Sequence, residues 1–504
     1  MIDTARQEGL VNQELVSSLR VAVMGDHPIL LSALESVASH LGVRNFPWSE
    51  DKPDHVLLLD DTVSGDKVFS RCTRILLLDD GVRITDITDN KGGTPSDIQL
   101  PGLAMIGASL GFQEVLRQNR CIRRIDIVKS HISINYRINS DFSGDTIDFA
   151  GQFSIKGPDG ETVPFHAKRC TDDSGHISLS ARIESNQLAE SLLREISLTD
   201  IADCRGEEDR KPSVIEVRIP RQDGGITGTC VVAGVGGLGS WALHSISQGV
   251  SNFGSDGYGL ELVIIDPDIE IETHNLNRQV LYSEVDVGSP KALAASTEIR
   301  RRLPMAETLS GVQELGMPEL EMFINGHTKT SDSEFLEEDL GISLSSLPPE
   351  ILHEALGRAD VILSCVDNLR ARTIISALSE HLHAPMINAG AGGWSGQMDI
   401  FHPKESCMVC RYGPSVGLDS RVQSCQEDGE IPFSSIVTST AIFGSLQGLA
   451  ALARLSVDGD LLGKWPDGFV WGGRWNKISS HANTFHLADK GKSHLDHLLS
   501  ALLR

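Results

Sequence analysis

The sequence predicts an α/β protein with a nucleotide-binding domain in its second half, and three observations carry that prediction. An apolar run, VVAGVGGLGS, leads from a strand into a glycine-rich turn at Gly234, Gly236, Gly237 and Gly239. A second apolar run, LELVIID, follows one helix length later and ends in Asp266. Between about residues 21 and 130, short apolar runs alternate with helix-like segments, and two of those runs also end in aspartate. Strands that alternate with helical patterns build an open, mostly parallel sheet.

In chain order, the first region holds RVAVMG (20–25), HVLLLD (55–60), RILLLD (74–79) and LAMIG (103–107), each expected as a strand. DHPILLSALESVASHLG follows RVAVMG, so no G-x-G-x-x-G turn occurs there, and no phosphate-binding block comes after it. Residues 1–130 therefore form a degenerate copy of the nucleotide domain or an unrelated α/β unit. The texture then changes. HISINYRINS, DTIDFAGQFSI, HISLSARI and SVIEVRIP alternate as strands do, with turn signals at GPDG, DDSG and RQDGG. This β-rich segment, 131–222, contains a hydrophilic loop at Asp203–Pro212. It docks a protein partner or braces the two α/β domains. The nucleotide domain occupies 223–504. Within it, Met305–Pro349 is expected as an acidic insertion and Ser435–Leu455 as a buried helix.

Composition narrows the function. A chain of 504 residues holds two or three domains. The formal net charge of −25 argues against nonspecific binding to nucleic acid or to an anionic membrane. The first twenty residues lack the apolar core of a signal peptide, and Ser435–Leu455 is interrupted by Ser, Thr and Gln, unlike a membrane span. Nine cysteines, an odd number with one CxxC, suit a reducing cytoplasm and thiol chemistry.

The glycine turn alone supports any dinucleotide-binding domain, because it lets backbone approach phosphate at a helix N-terminus. Asp266, at the end of the next strand, suits a ribose. The discriminating part is NLNRQ, Asn275–Gln279, with Lys291 thirteen residues beyond Arg278. A redox dinucleotide needs no such cation pair. A triphosphate does, because charge builds on its oxygens as the α-phosphate is attacked.

These residues resemble the ubiquitin-activating enzyme superfamily, which includes the ThiF- and MoeB-like sulfur-carrier adenylyltransferases and the microcin-type peptide adenylyltransferases. The resemblance rests on GVGGLGS, IIDPD, NLNRQVLYSEVDVG, SPK, CVDNLRAR (Cys365–Arg372), INAGAGGWSGQMDIFHP (Ile387–Pro403) and CMVC (Cys407–Cys410), in family order over roughly Gly228–Arg504. It implies a Rossmann-like ThiF-type adenylation domain, with the N-terminal region similar to the inactive adenylation half of eukaryotic activating enzymes. It assigns Arg278, Lys291 and Asn275 to the triphosphate of ATP. Asp367, beside Asn368, goes to Mg²⁺, with helix capping as the alternative role for these two. The run between Asp266 and NLNRQ is one residue longer than in the family, which sets Asp266 against Asp268 for the ribose; Asp266 directly ends the apolar run and is preferred. Arg372 is expected as a structural ion-pair residue.

A lone cytosolic CxxC is half a zinc site, a redox pair or chance. The family's structural zinc uses a second CxxC near the C-terminus, but no cysteine follows Cys425 here. His494 and His497 stand at the matching place with the same gap, so Cys407, Cys410, His494 and His497 would form a Cys₂His₂ zinc site. The alternative is a site that has lost its metal. Cys425 falls where related enzymes place a reactive cysteine in a crossover loop, and a thioester there needs thiolate character. The other six cysteines are expected to pack. The resemblance thus implies ATP-dependent adenylation of the C-terminal carboxylate of a ubiquitin-like protein with a Gly-ending tail. Thioester formation on Cys425 and transfer to a conjugating, E2-like enzyme follow. It leaves a homodimer, a microcin-type peptide substrate and sulfur-carrier activation open.

Overall fold

The computed structural model describes residues 7, 10–50, 52–59, 71–85, 92–119, 121–122, 145–156, 162–172, 177–183, 214–325, 347–413, 416, 436–473, 476–482 and 492–503. The N-terminal unit contains α1 (Gln13–Ser18), β1 (Val21–Met24), α2 (Pro28–Leu41), β2 (His55–Leu58), β3 (Cys72–Leu78), β4 (Gly81–Thr85) and α3 (Leu100–Gln118). β5 (Asp145–Lys156), β6 (Thr162–Asp172) and β7 (Ile177–Ile183) form a three-stranded antiparallel sheet. This sheet matches the alternating texture there; HISINYRINS lies outside the described residues.

The N-terminal sheet runs β1-β2-β3-β4-β8, where β8 is Ile215–Arg218. β1, β2 and β3 are parallel, and β4 and β8 are antiparallel additions. Two expectations change here. LAMIG, 103–107, is not a strand but lies inside α3, which is buried on every side from Gly102 to Leu116. A helix without a polar face shows no 3.6-residue periodicity, so its apolar run imitates a strand. SVIEVRIP is a strand, but β8 pairs with β4, so it closes the N-terminal sheet instead of belonging to the β-rich segment.

The C-terminal unit continues with β9 (Gly228–Ala233), α4 (Gly237–Asn252), β10 (Leu260–Ile265), α5 (Lys291–Arg302), β11 (Glu307–Gly311), α6 (Met317–Asn325) and α7 (Pro349–Gly357). Then come β12 (Val361–Ser364), α8 (Leu369–Leu382), β13 (Met386–Gly392), β14 (Ser395–Phe401) and α9 (Met408–Tyr412). α10 (Val437–Arg454), β15 (Gly468–Gly472), β16 (Lys477–His481) and α11 (His494–Leu502) end it. Its sheet has the order β11-β10-β9-β12-β13-β14-β15-β16, parallel from β11 to β13 and antiparallel beyond. The winding reverses between β9 and β12, and ligands of such sheets bind at the strand ends where it reverses.

Both faces of this sheet are covered, so β9 alternates between two cores. Cys230 and Val232 face one core, which continues into the N-terminal unit; Val231 and Ala233 face another with Ile362, Ile375 and Leu498. α3 joins the units. Gln113 donates to the Gly473 carbonyl at 2.6 Å and accepts from Thr438 Oγ1 at 2.9 Å, and Asn476 donates to the Leu110 carbonyl at 2.8 Å. Buried amides need such partners, so these bonds fix how the units meet. Among the described residues, no helix is long and apolar enough to cross a membrane.

Candidate nucleotide site and Cys/His cluster

β9 ends at Ala233, and Gly234 takes φ 87°, which L side chains rarely adopt. Its backbone lies against the end of β12: a Cβ there would sit 2.9 Å from the Cys365 carbonyl carbon. Gly239 is closer still, since a Cβ on it would stand 2.0 Å from the Gly234 carbonyl oxygen. α4 then starts with Gly236 as a cap that offers no side-chain acceptor. Among the described residues, no side chain caps the first amide N–H groups of this helix, and free amides at a helix start are what an anion requires.

The loop is held from both sides at Val235. Its N–H donates to Asp266 Oδ2 at 2.6 Å, and its carbonyl accepts from the Tyr282 hydroxyl at 2.8 Å. Asp266 Oδ1 also accepts from the Asp268 N–H, at 2.9 Å. Burial pushes the Asp266 carboxyl up to about 6, against the opposing pull of Lys291. Asp266 thus braces the glycine loop from beneath, while the more exposed Asp268 pairs with the Lys291 ammonium at the start of α5. Tyr282 lies inside the NLNRQVLYSEVDVG stretch, but no sequence pattern gives it a role; its hydroxyl bond to the loop appears only in the structure.

The NLNRQ block packs against the same loop. Asn275 is buried and accepts from Gln279 Nε2 at 2.6 Å. Arg278 is buried too, donating to the His274 carbonyl at 3.1 Å and to Asn277 Oδ1 at 3.2 Å, while its own carbonyl accepts from the Trp241 indole at 2.9 Å. A Cβ on Gly237 would lie 3.8 Å from Arg278 Cγ, so the arginine stem passes alongside the helix start.

Across the crevice, β12 stops at Ser364, and Cys365–Asn368 forms the loop into α8. Asn368 caps α8, accepting from the Ala371 N–H at 2.7 Å. The capping role therefore falls on Asn368, and Asp367 is exposed on the strand-end side. Arg372 differs from expectation. It makes no ion pair among the described residues and instead donates to the Val366 and Ala389 carbonyls and to Asn388 Oδ1.

A second constellation lies at the far end of the domain. Cys407 caps α9 and Cys410 sits within it; His494 and His497 occupy the first turn of α11, which a Ser493–Asp496 capping box starts. One ligand atom from each of the four lies within 4.8 Å of the others. The two Sγ atoms are 3.5 Å apart and Cys410 Sγ is 3.2 Å from His494 Nδ1. The Cys407 thiol donates to Cys410 and holds it below the ordinary thiol range, with His494 adding to the effect. His497 also lies close enough to lower Cys410, yet among the described residues both its ring nitrogens are buried without hydrogen-bond geometry to a partner. Buried polar atoms without partners suit a ligand, and a tetrahedral S₂N₂ donor set suits Zn²⁺.

Cys425 lies outside the described residues, as does Cys204. Cys121, Cys230 and Cys365 are buried, and burial pushes Cys121 up to about 11 and Cys365 to about 12, so neither supplies a thiolate.

A sheet wound in both directions, a glycine loop at its reversal, a helix start without a side-chain cap and a buried Lys291 paired with half-buried Asp268 define a nucleotide-binding α/β domain. Residues 222–464 match the model of the ThiF family. It is 24% identical over 228 residues to the sulfur carrier protein ThiS adenylyltransferase of Escherichia coli, covering 45% of this chain and 71% of that protein. It is likewise 24% identical over 232 residues to the SAMP-activating enzyme E1 of Haloferax volcanii, covering 46% and 68%. To the adenylyltransferase and sulfurtransferase UBA4 of Kluyveromyces lactis it is 26% identical over 262 residues, covering 49% and only 48%. Among solved structures, E. coli MccB with ATP superposes over 52% of this chain and 64% of that one, at 17% identity and a TM-score of 0.36, too loosely to carry an argument.

Proposed function

We propose that the chain is an ATP-dependent adenylyltransferase that activates the C-terminal carboxylate of a ubiquitin-like protein. The observation that carries this reading is the approach of the glycine loop to the end of β12, with the Arg278 stem beside the start of α4, Lys291 paired with Asp268 after β10, and Asp367 exposed on the loop that follows β12. In this reading the amide groups of α4 with Arg278, Lys291 and Asn275 receive the triphosphate. Asp266, at the end of β10, is taken for the ribose, with the less buried Asp268 as the alternative. Asp367 holds Mg²⁺, which offsets charge on the triphosphate when bound. The partner's carboxylate attacks the α-phosphate; the bond to pyrophosphate breaks and an acyl adenylate forms. Cys425 then attacks the acyl carbon as a thiolate, expelling AMP and leaving a thioester for a conjugating enzyme. Zinc on Cys407, Cys410, His494 and His497 is structural, because four protein ligands leave no open position.

Support for a protein substrate comes from the relatives named for sulfur-carrier and SAMP activation, and from a second α/β unit packed on the first through α3. The rival is a peptide substrate of microcin type, which dispenses with Cys425. ATP–pyrophosphate exchange with candidate partners tests the chemistry. Asp367→Ala is expected to lower exchange by about 10²–10³-fold, the usual loss on removing one electrostatic contact to the transition state. No exchange with any ubiquitin-like partner, or full exchange in the variant, refutes the reading. Cys425→Ala is expected to retain exchange and lose the thioester-linked partner; undiminished product formation favours the peptide substrate.

A further inference from the structure

Arg372 sits beneath the crevice with its charge in an unusual position. It is the fourth residue of α8 and is buried at 8% exposure. Its guanidinium stays protonated wherever the protein folds, and burial opposes that charge. A buried cation is costly without partners. Among the described residues, its hydrogen-bond partners are neutral oxygens on two separate segments. One is the Val366 carbonyl in the β12–α8 loop; the others are Asn388 Oδ1 and the Ala389 carbonyl on β13. The planar fork thus ties the loop to its neighbouring strand through two nitrogens held in fixed geometry, which the single nitrogen of an ammonium does not offer.

Val366 directly precedes Asp367, and Asn368 directly follows it. The carbonyl of the first is fixed by Arg372, and the side chain of the second is fixed on the Ala371 N–H at 2.7 Å. Asp367 is therefore an exposed carboxylate whose two neighbours are both held. The Arg372 charge also reaches Asp367 and Asp399, with no ion pair formed to either among the described residues. Such an arrangement fixes the direction of a ligand before it binds anything.

We propose that Arg372 is a positioning residue that holds Asp367 in the orientation for binding a divalent cation with ATP. This rests on the reading of Asp367 as the cation ligand. The test is calorimetric ATP affinity, measured once with Mg²⁺ and once with EDTA, for wild type, Arg372→Met, Arg372→Lys and Asp367→Asn. The ratio of the two affinities isolates the metal's contribution, which a general packing defect does not change selectively. Arg372→Met is expected to cut that ratio by about tenfold or more, as removing a supporting partner of a metal ligand does, with the EDTA affinity near wild type. Arg372→Lys, which keeps the charge but not the fork, is expected to lose nearly as much. A wild-type ratio in Arg372→Met, equal losses with and without Mg²⁺, or a wild-type ratio in Arg372→Lys overturns the proposal. If Asp367→Asn keeps the wild-type ratio, the assignment of Asp367 itself falls, and that outcome is separable from the others. Should Arg372→Met not fold, Asn388→Ala removes one acceptor while keeping the arginine; a wild-type ratio there overturns the proposal as well.

Discussion

β1 and β9 begin their units in the same way and end differently. Each runs into a glycine with positive φ, Gly25 at 107° and Gly234 at 87°, and each is followed by a helix that packs on the sheet. At α2 the helix start is sealed by its own residues. Pro28 has no N–H to offer, and His27 Nδ1 accepts from the Leu30 N–H at 3.3 Å. At α4 the cap is Gly236, which has no side chain to accept from the helix start; its carbonyl takes the Ser240 N–H at 3.1 Å. One strand–turn–helix is closed and the other is left for an outside acceptor. A shared topology therefore does not imply a shared site; a few capping atoms decide whether a helix end binds an anion.

The most disruptive way to break this contrast is Gly239→Ala. The added Cβ meets the Gly234 carbonyl oxygen, which is backbone and cannot swing aside, so the loop must move. Overpacking of this kind costs about 1–3 kcal/mol. A lower melting temperature and an ATP affinity reduced at least tenfold, or roughly 1.4 kcal/mol, are expected by calorimetry. Wild-type affinity would mean the loop is not the phosphate seat.

Metal removal should act on the C-terminal unit alone. Elemental analysis is expected to find one zinc per chain. Chelation or Cys410→Ser should raise hydrogen exchange in α11 while leaving α2 protected. Equal exchange in α11 with and without chelator counts against a metal at the four ligands.

Acid probes the buried histidines of both units. Burial lowers His55 to about 4 and His244, beside Arg302, to about 3, and lowers His40 as well; His40 packs edge-on against Trp241 of α4. The folded chain resists protons that the unfolded chain takes up below about 6.5. Stability is therefore full above that pH and falls progressively as pH drops towards 4 and then 3. Urea midpoints at pH 7 and pH 5 should show the loss, and His55→Gln should flatten the slope. A slope unchanged by that substitution removes His55 from the account.

The smallest effect is expected from His27→Ala, the sealed end. Loss of a cap costs about 1 kcal/mol, read as a shifted urea midpoint, with ATP affinity unchanged. A change in ATP affinity would show that the N-terminal unit takes part in the nucleotide site after all.

Much of the C-terminal unit was legible because its signals are local. The glycine turn, the NLNRQ block and the apolar strand runs each lie within a few residues, and short-range backbone geometry enforces them. The His494–His497 gap, equal to that of Cys407–Cys410, was legible as well, because residues three apart on a helix share a face. LAMIG was misread because burial on all sides erased the helical period of α3. β8 was placed in the wrong unit because its partners in β4 lie 131 to 137 residues earlier, and pairing over that distance leaves no local mark.

The sequence by itself determined the ThiF-type domain, its strand–turn–helix start and the residue types gathered for the nucleotide, since these depend on dihedral preference, side-chain periodicity and charge. Only the tertiary structure decided how those residues divide their work. It put Asp266 under the glycine loop and Asp268 on Lys291, gave the cap of α8 to Asn368, and turned Arg372 from an ion-pair partner into a clamp on backbone oxygens. Such choices depend on which atoms lie within about 3 Å across strands far apart in the chain, where hydrogen bonds form or fail.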